Sequence, residues 1–123
     1  MADNEVEFSI LVGSGVPVRA FKQGEIIFRE GDPATDLYVI KSGRVDIASG
    51  NRLLATLGDN GIFGEMALID KAPRSATVTA ATDVELVPVN EKQFLFLVSQ
   101  TPFFALKVMR VLAGRLRVAN KAI

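Results

Sequence analysis

The sequence lacks two residue types that much protein chemistry depends on. None of its 123 residues is a cysteine or a histidine. Without cysteine the chain has neither disulfides nor thiol chemistry. Without histidine it is missing the commonest protein ligand of zinc, copper and iron, and the commonest general base near neutral pH. We therefore expect no metal and no cofactor, and we predict that the protein is not an enzyme.

An excess of basic charge and a long apolar run are absent as well. Fourteen Lys and Arg residues balance fourteen Asp and Glu residues, whereas a domain that neutralises many DNA phosphates is expected to be basic. No segment approaches the ~18 consecutive apolar residues of a membrane span, and residues 1–7 are acidic and polar, unlike a secretion signal. We predict a cytoplasmic protein that neither binds nucleic acid directly nor spans a membrane.

What is present is the composition of one folded domain. Apolar residues make up 49% of the chain and charged residues 23%, which is typical of globular proteins. The length suffices for one core but not for two. We predict a single domain over residues 1–123, with a β-roll over about 16–90 and C-terminal helices over about 91–121.

Between residues 16 and 90 the chain consists of short β-favouring runs that are separated by turn residues. Seven runs are predicted as strands: Val16–Phe21, Glu25–Phe28, Asp36–Lys41, Arg44–Ala48, Arg52–Leu57, Ser75–Ala80 and Val84–Val89. Strands this short and this regularly spaced predict an antiparallel roll or sandwich.

Helical patterns flank these strands. Glu5–Leu11 predicts a short leading helix, Asn90 is a suitable cap for a helix that includes Gln93–Ser99, and a longer helix is predicted from Phe103 to about Lys121. The longer helix carries an apolar seam at helical spacing, composed of Ala105, Met109, Leu112, Leu116 and Ala119. The seam either faces the core of the domain or pairs with a second copy of the chain.

The segment from Gly61 to Thr79 carries the chemistry of a small anion site. We predict a short helix from near Gly64 to near Asp70, where free backbone N–H groups attract an anion and a glycine permits close approach. Arg74 can clamp a phosphate through two hydrogen bonds, Ser75 adds a hydroxyl, and Glu65 can accept a hydrogen bond from a ribose hydroxyl. A structural salt bridge between Glu65 and Arg74 remains an alternative.

Two motifs in this segment are Phe63-Gly64-Glu65-Met66-Ala67-Leu68 and Pro73-Arg74-Ser75-Ala76-Thr77-Val78. Together they resemble the phosphate-binding cassette of cyclic nucleotide-binding domains, which occur in catabolite activator proteins, kinase regulatory subunits and cyclic-nucleotide-gated channels. The resemblance extends over about residues 16–120. It implies a mainly β fold with flanking helices: an eight-stranded antiparallel β-roll of the double-stranded jelly-roll type, with one N-terminal and two C-terminal helices.

The resemblance also implies roles for individual residues. Glu65 would bind the ribose 2′-hydroxyl, Gly64 would permit close approach, and the cyclic phosphate would be held by Arg74, Ser75 and the amide of Ala67. Three residues match positions that line a base pocket, although strand alternation would equally make them core residues: Ile47, Leu54 and Leu57. A hinge is implied at Leu68, with an aromatic cluster as its candidate partners: Phe96, Phe103 and Phe104.

The function that follows is a sensor whose ligand, cyclic AMP in preference to cyclic GMP, moves the C-terminal helices. Its partner would be a second copy of the chain, paired through the C-terminal helix, or an effector protein or domain. Because the chain ends at Ile123, we expect either a free-standing sensor or one domain of a larger protein. The alternative is a degenerate β-roll that acts as a protein-interaction module without ligand.

Overall fold

The computed structural model describes the backbone of residues 17–121 and the side chains as far as residue 115. The predicted leading helix at Glu5–Leu11 lies outside the described residues. Within them, eight strands are formed: β1 (Arg19–Phe21), β2 (Ile26–Phe28), β3 (Leu37–Ser42), β4 (Val45–Ser49), β5 (Arg52–Leu57), β6 (Ile62–Phe63), β7 (Thr77–Ala80) and β8 (Val84–Val89). Three helices accompany them: α1 (Met66–Ile69), α2 (Glu91–Gln100) and α3 (Phe103–Lys121).

The strands form two antiparallel sheets of four. Their orders are β1-β8-β3-β6 and β2-β7-β4-β5, so strands that are neighbours in a sheet are often distant in the sequence. This is the mainly β roll with flanking helices that the sequence predicts. The seven predicted strands are all present: Arg52–Leu57 and Val84–Val89 have the predicted bounds, and the bounds of the other five differ by one to three residues.

Strand β6 is the strand that the sequence pattern does not indicate. It has only two residues, which is too short for an alternation of apolar and polar side chains to be visible. Its position is instead fixed by pairing, since Phe63 lies opposite Tyr38 and Ile62 opposite Val39 in β3. The strand ends directly before Gly64 and so places the start of the candidate site at the edge of a sheet.

The core has two parts, which meet at β3. Alternate side chains of a strand point to opposite faces, and in β3 both faces are buried: Leu37 and Val39 pack toward the helices, whereas Tyr38 and Ile40 pack against residues of the opposite sheet. The helix-side cluster is completed by Ile62, Val87, Val89, Leu97, Phe104 and Val108. The helix-side cluster therefore joins the two long helices to the roll, and β3 contributes side chains to both clusters.

The predicted cap at Asn90 is confirmed. Its side chain accepts a hydrogen bond from the backbone N–H of Gln93 at 2.9 Å, and the side chain of Gln93 accepts one from the backbone N–H of Asn90 at 2.9 Å. This reciprocal capping box satisfies N–H groups that would otherwise lack partners. It starts α2 at Glu91, directly after the predicted cap.

The seam predicted on the long helix does not form one uniform surface. Leu112 packs against the core, whereas Met109 is 57% exposed; the side chains of Leu116 and Ala119 lie outside the described ones. Among residues 17–121 no single helix is both long and apolar enough to cross a membrane, and only the pair α2 and α3, bent by 118°, meets that length and composition together.

Candidate functional site

A cavity of about 880 Å³ lies beside the predicted anion segment. Its walls come from β4, β5 and β7, from residues 60–67, from the turn at residues 72–76 and from α3. Four cationic side chains and one acidic side chain are among its described lining residues: Arg52, Arg74, Lys107, Arg115 and Glu65. This excess of positive charge in a partly apolar cavity favours an anionic ligand.

The turn that enters the cavity is made by Gly64. Its φ of +78° is a left-handed conformation that glycine adopts at little cost. A Cβ at this position would lie 2.7 Å from Nη1 of Arg74 and 3.4 Å from the carbonyl oxygen of Asp36. A side chain at residue 64 would therefore displace the Arg74 guanidinium, so the glycine is required both by the backbone and by its neighbour.

The helix after this turn is shorter than predicted. It covers one turn, Met66–Ile69, with Glu65 at its N-cap position and Asp70 at its C-cap. The amide of Ala67, predicted to hold a phosphate, donates a hydrogen bond to the carbonyl oxygen of Gly64 at 3.2 Å. A bound phosphate would share or replace this bond.

Glu65 is a carboxylate enclosed by protein. It is 2% exposed, and its Oε2 accepts a hydrogen bond from Nη1 of Arg115 in α3. Its Oε1 is buried and has no hydrogen-bond partner. Because a buried polar atom without a partner is costly, this oxygen is a ready acceptor for a ligand hydroxyl.

Arg74 is the second buried charge, at 8% exposure. Its Nη1 donates to the carbonyl oxygen of Gly64 at 3.3 Å, and its Nε is buried without a partner. Burial lowers the pKa of Arg74, and electrostatic interactions with Tyr38, Asp36, Asp32 and Glu65 oppose this shift. Arginine nevertheless remains protonated in proteins, so the cavity contains a buried cation with a free donor.

Arg74 lies in a turn, and the strand predicted from Ser75 onward starts two residues later, at Thr77. Its backbone N–H donates to the carbonyl oxygen of Asp32 at 2.9 Å, and its carbonyl oxygen accepts from the N–H of Gly31 at 2.8 Å. These bonds tie it to the loop after β2 before the ladder of β7 starts at Thr77. Ser75 is exposed and lines the cavity beside it.

The salt bridge that the sequence left open between Glu65 and Arg74 is not formed among the described side chains. Glu65 pairs with Arg115 instead. The sequence pattern does not single out Arg115, yet it brings α3 into the site, because its Nη2 also donates to the carbonyl oxygen of Ile62 at 3.1 Å. The sequence does contain a signal for this contact. Lys107, Val111 and Arg115 are spaced four apart and so lie on one face of the helix.

All three predicted base-pocket residues line the cavity: Ile47, Leu54 and Leu57. Ile47 and Leu57 also pack against the core, as strand alternation allows. Leu54 does not, since it is 51% exposed. Of the three, Leu54 is the one whose position a core role does not explain.

The structure divides the predicted hinge residues. Leu68 and Phe104 belong to the same apolar cluster, with Phe104 fully buried. Phe96 is 43% exposed and Phe103 39% exposed, and both lie outside that cluster. For Phe96 the reason is helical phase, since α2 turns Phe94 and Leu97 toward the roll. Phe94 contacts Phe104, with ring centroids 5.7 Å apart.

Comparisons with known proteins identify relatives of this chain. The model of the cyclic nucleotide-binding domain family matches residues 18–101. The cyclic AMP receptor protein of Thermus thermophilus is 35% identical over 125 residues, which cover 98% of this chain and 56% of that protein. The chain spans about half the length of the curated relatives it matches.

Solved structures show the same fold. The crystal structure of Thermus thermophilus catabolite activator protein matches with a TM-score of 0.80 and 35% identity, over 93% of this chain and 55% of that chain. The cAMP-bound form of the EAL enzyme Bd1971 matches with a TM-score of 0.62 and 42% identity, over 84% of this chain and 29% of that chain. A cGMP-bound form of the same enzyme matches with a TM-score of 0.63 and 42% identity, over 82% and 28%.

Proposed function

The chain belongs to the cyclic nucleotide-binding domain family, and we propose that it is a sensor which binds a cyclic nucleotide and couples binding to its C-terminal helices. One observation carries the proposal. A single cavity is lined by a buried carboxylate and a buried guanidinium, each with an unpartnered polar atom: Oε1 of Glu65 and Nε of Arg74. A ligand with a hydroxyl donor next to an anionic acceptor satisfies both.

A cyclic nucleotide has this arrangement. Its ribose 2′-hydroxyl donates to Glu65, and its singly charged phosphate accepts from Arg74 and from the hydroxyl of Ser75. The base then lies against the apolar wall that includes Ile47, Leu54 and Leu57. Charge-assisted hydrogen bonds in a site shielded from water are among the stronger polar contacts, so Arg74 and Glu65 fix the ligand's orientation while the apolar wall adds affinity.

Glu65 also supplies the coupling. One of its carboxylate oxygens is engaged by Arg115 of α3, and the other is free for the ligand. A ribose bound to the free oxygen therefore reaches a carboxylate that is already attached to α3. Movement of Glu65 on binding is passed to this helix, and Leu68, packed in the same cluster as Phe104, repacks with it. The altered α3 surface then acts on a second copy of the chain or on an effector.

We propose cyclic AMP as the preferred ligand. In the family a threonine after the arginine accompanies guanine preference and an alanine adenine preference, and Ser75 provides a hydroxyl without the threonine methyl group. The similar enzyme Bd1971 has both a cAMP-bound and a cGMP-bound form, so we propose a preference of degree.

Isothermal titration with cyclic AMP and cyclic GMP, with nucleotide recovery measured by chromatography, tests the proposal. We expect both to bind, cyclic AMP more tightly, and both to be recovered unchanged. Absence of binding by both would indicate the protein-interaction module instead, and consumption of the nucleotide would indicate an enzyme. Tighter binding of cyclic GMP would leave the sensor function but reverse the assigned preference.

A further inference from the structure

The buried guanidinium of Arg74 packs against a cluster of aromatic rings. Its guanidinium carbon is 4.0 Å from the ring centroid of Phe28 and 5.7 Å from that of Tyr38. The rings themselves form one cluster with Phe63, with centroids 5.4 to 6.2 Å apart. Phe28 ends β2, lies opposite Val78 of β7, and lines the cavity.

These aromatic rings take the place of the carboxylate that usually accompanies a buried cation. Buried charges are normally paired with an opposite charge, but among the side chains of residues 17–115 no carboxylate lies within ion-pair distance of Arg74. The described hydrogen bond of its side chain is the one to the carbonyl oxygen of Gly64. The attraction between a cation and the face of an aromatic ring stabilises the charge without using any of the N–H donors.

We propose that Phe28 is a positioning residue for Arg74, and that its ring keeps the guanidinium oriented and free of a competing carboxylate. A carboxylate in the place of Phe28 would satisfy the cation but would have to be displaced by the ligand's phosphate. The ring stays in place when the phosphate arrives. The proposal rests on the proposed function for the identity of the ligand, but the position of Arg74 over the ring is independent of it.

The chain contains a matched control for this contact. Phe21 is also partly buried against the same core cluster as Phe28, and it also has a guanidinium above its ring, that of Arg19 at 5.4 Å. Phe21 does not line the cavity. Replacement of Phe21 by leucine therefore removes an equal ring and an equal kind of contact at a distance from the ligand.

The binding experiment compares Phe28→Leu, Phe28→Tyr and Phe21→Leu by titration with cyclic AMP. We expect Phe28→Leu to weaken binding about three- to thirty-fold, the range of a cation–π contact from exposed to desolvated. We expect Phe28→Tyr to bind cyclic AMP with about the wild-type affinity, and Phe21→Leu to leave the affinity unchanged. In an Arg74→Lys background the effect of Phe28→Leu differs from its effect in the wild type, because the two residues are coupled. Equal effects in both backgrounds, or none in the wild type, would overturn the proposal.

A second experiment needs no ligand. In the ligand-free protein, the Arg74 Nε–H resonance, assigned by its loss in Arg74→Lys, is expected to be shifted by the ring current of Phe28. The shift disappears in Phe28→Leu, persists in Phe28→Tyr and persists in Phe21→Leu. An unchanged resonance in Phe28→Leu refutes the positioning role even if no cyclic nucleotide binds. Failure of the wild type to bind, with the resonance behaving as expected, refutes the proposed ligand and leaves the positioning role intact.

Discussion

Arg115 donates a hydrogen bond to the buried carboxylate of Glu65, although the two residues are fifty positions apart in the sequence. This contact ties the last helix directly to the segment that carries the candidate ligand contacts. It is an ion pair of which one member is nearly inaccessible to solvent, so losing either partner leaves a buried or half-buried charge uncompensated.

We predict that Glu65 and Arg115 are energetically coupled. In a double-mutant cycle of Glu65→Gln and Arg115→Ala, followed by urea unfolding, we expect a coupling of about 0.5–3 kcal/mol, the range for residues in direct contact. The exposed pair Lys71 and Glu91, 3.1 Å apart, is the matched control, and its cycle should give about 0.2–1 kcal/mol. Coupling at Glu65 and Arg115 no larger than in the control would remove this ion pair as the link to α3.

Glu65 should also discriminate ribose from deoxyribose. Its free Oε1 is the proposed acceptor for the 2′-hydroxyl, and hydrogen bonds to charged groups contribute about 1.5–3 kcal/mol. Glu65→Gln is therefore expected to weaken cyclic AMP binding about ten-fold or more and to leave the affinity for 2′-deoxy cyclic AMP nearly unchanged. Titration of both nucleotides checks this, and an equal loss for the two would show that Glu65 has another role.

Arg74 is predicted to dominate phosphate binding. Truncating one partner of a buried charge pair costs about 2–5 kcal/mol, so Arg74→Ala or Arg74→Glu should reduce the affinity for cyclic AMP at least thirty-fold. Arg110→Ala is the control, because Arg110 is exposed, lies over the ring of Phe103 and is not a lining residue of the cavity. If circular dichroism shows intact folding and the affinity of the Arg74 variants is unchanged, Arg74 is not part of the site.

How far the sequence predicts this structure depends on the range of the interactions. Local patterns suffice for seven strands and for the Asn90 cap, because alternation and capping involve residues within a few positions of one another. The two-residue strand β6 and the contact between Arg115 and Glu65 depend on pairing across the fold. No local sequence pattern predicts this strand or this contact.

The hinge illustrates the same limit on a smaller scale. A cluster of phenylalanines at the helix junction is visible in the sequence, but which of them face Leu68 depends on how α2 and α3 pack against the roll. The capping box starts α2 at Glu91, and the helical phase then turns Phe94 inward and Phe96 outward. Phe94 and Phe96 are about 200° apart around the helix axis, so they cannot both face the roll.

The buried and exposed phenylalanines should differ in their contribution to stability. Phe104 is fully buried, so Phe104→Ala is expected to lower the free energy of unfolding by about 3–5 kcal/mol. Phe96 is 43% exposed, and Phe96→Ala should lower it by less than about 1 kcal/mol. Urea unfolding of the two variants measures the difference. A similar cost for both would place Phe96 in the core and contradict the helical phase of α2.

Gly64 is expected to be required for binding as well as for the turn. Gly64→Ala places a methyl group 2.7 Å from Nη1 of Arg74 and a non-glycine residue at a φ of +78°. The control is Gly24→Ala, whose φ is +90° and whose Cβ would meet no atom within 4 Å. Both substitutions should lower the free energy of unfolding by about 1–3 kcal/mol, because both force a left-handed backbone.

The two glycine variants should differ in affinity. Gly64→Ala moves the guanidinium that holds the phosphate and is expected to weaken cyclic AMP binding at least ten-fold, whereas Gly24→Ala leaves the affinity unchanged. Thermal unfolding and titration of both variants separate backbone strain, which they share, from contact with Arg74, which only Gly64→Ala disturbs. Equal losses of affinity in the two variants would attribute the effect to strain in the roll, and Gly64 would then have no specific role beside Arg74.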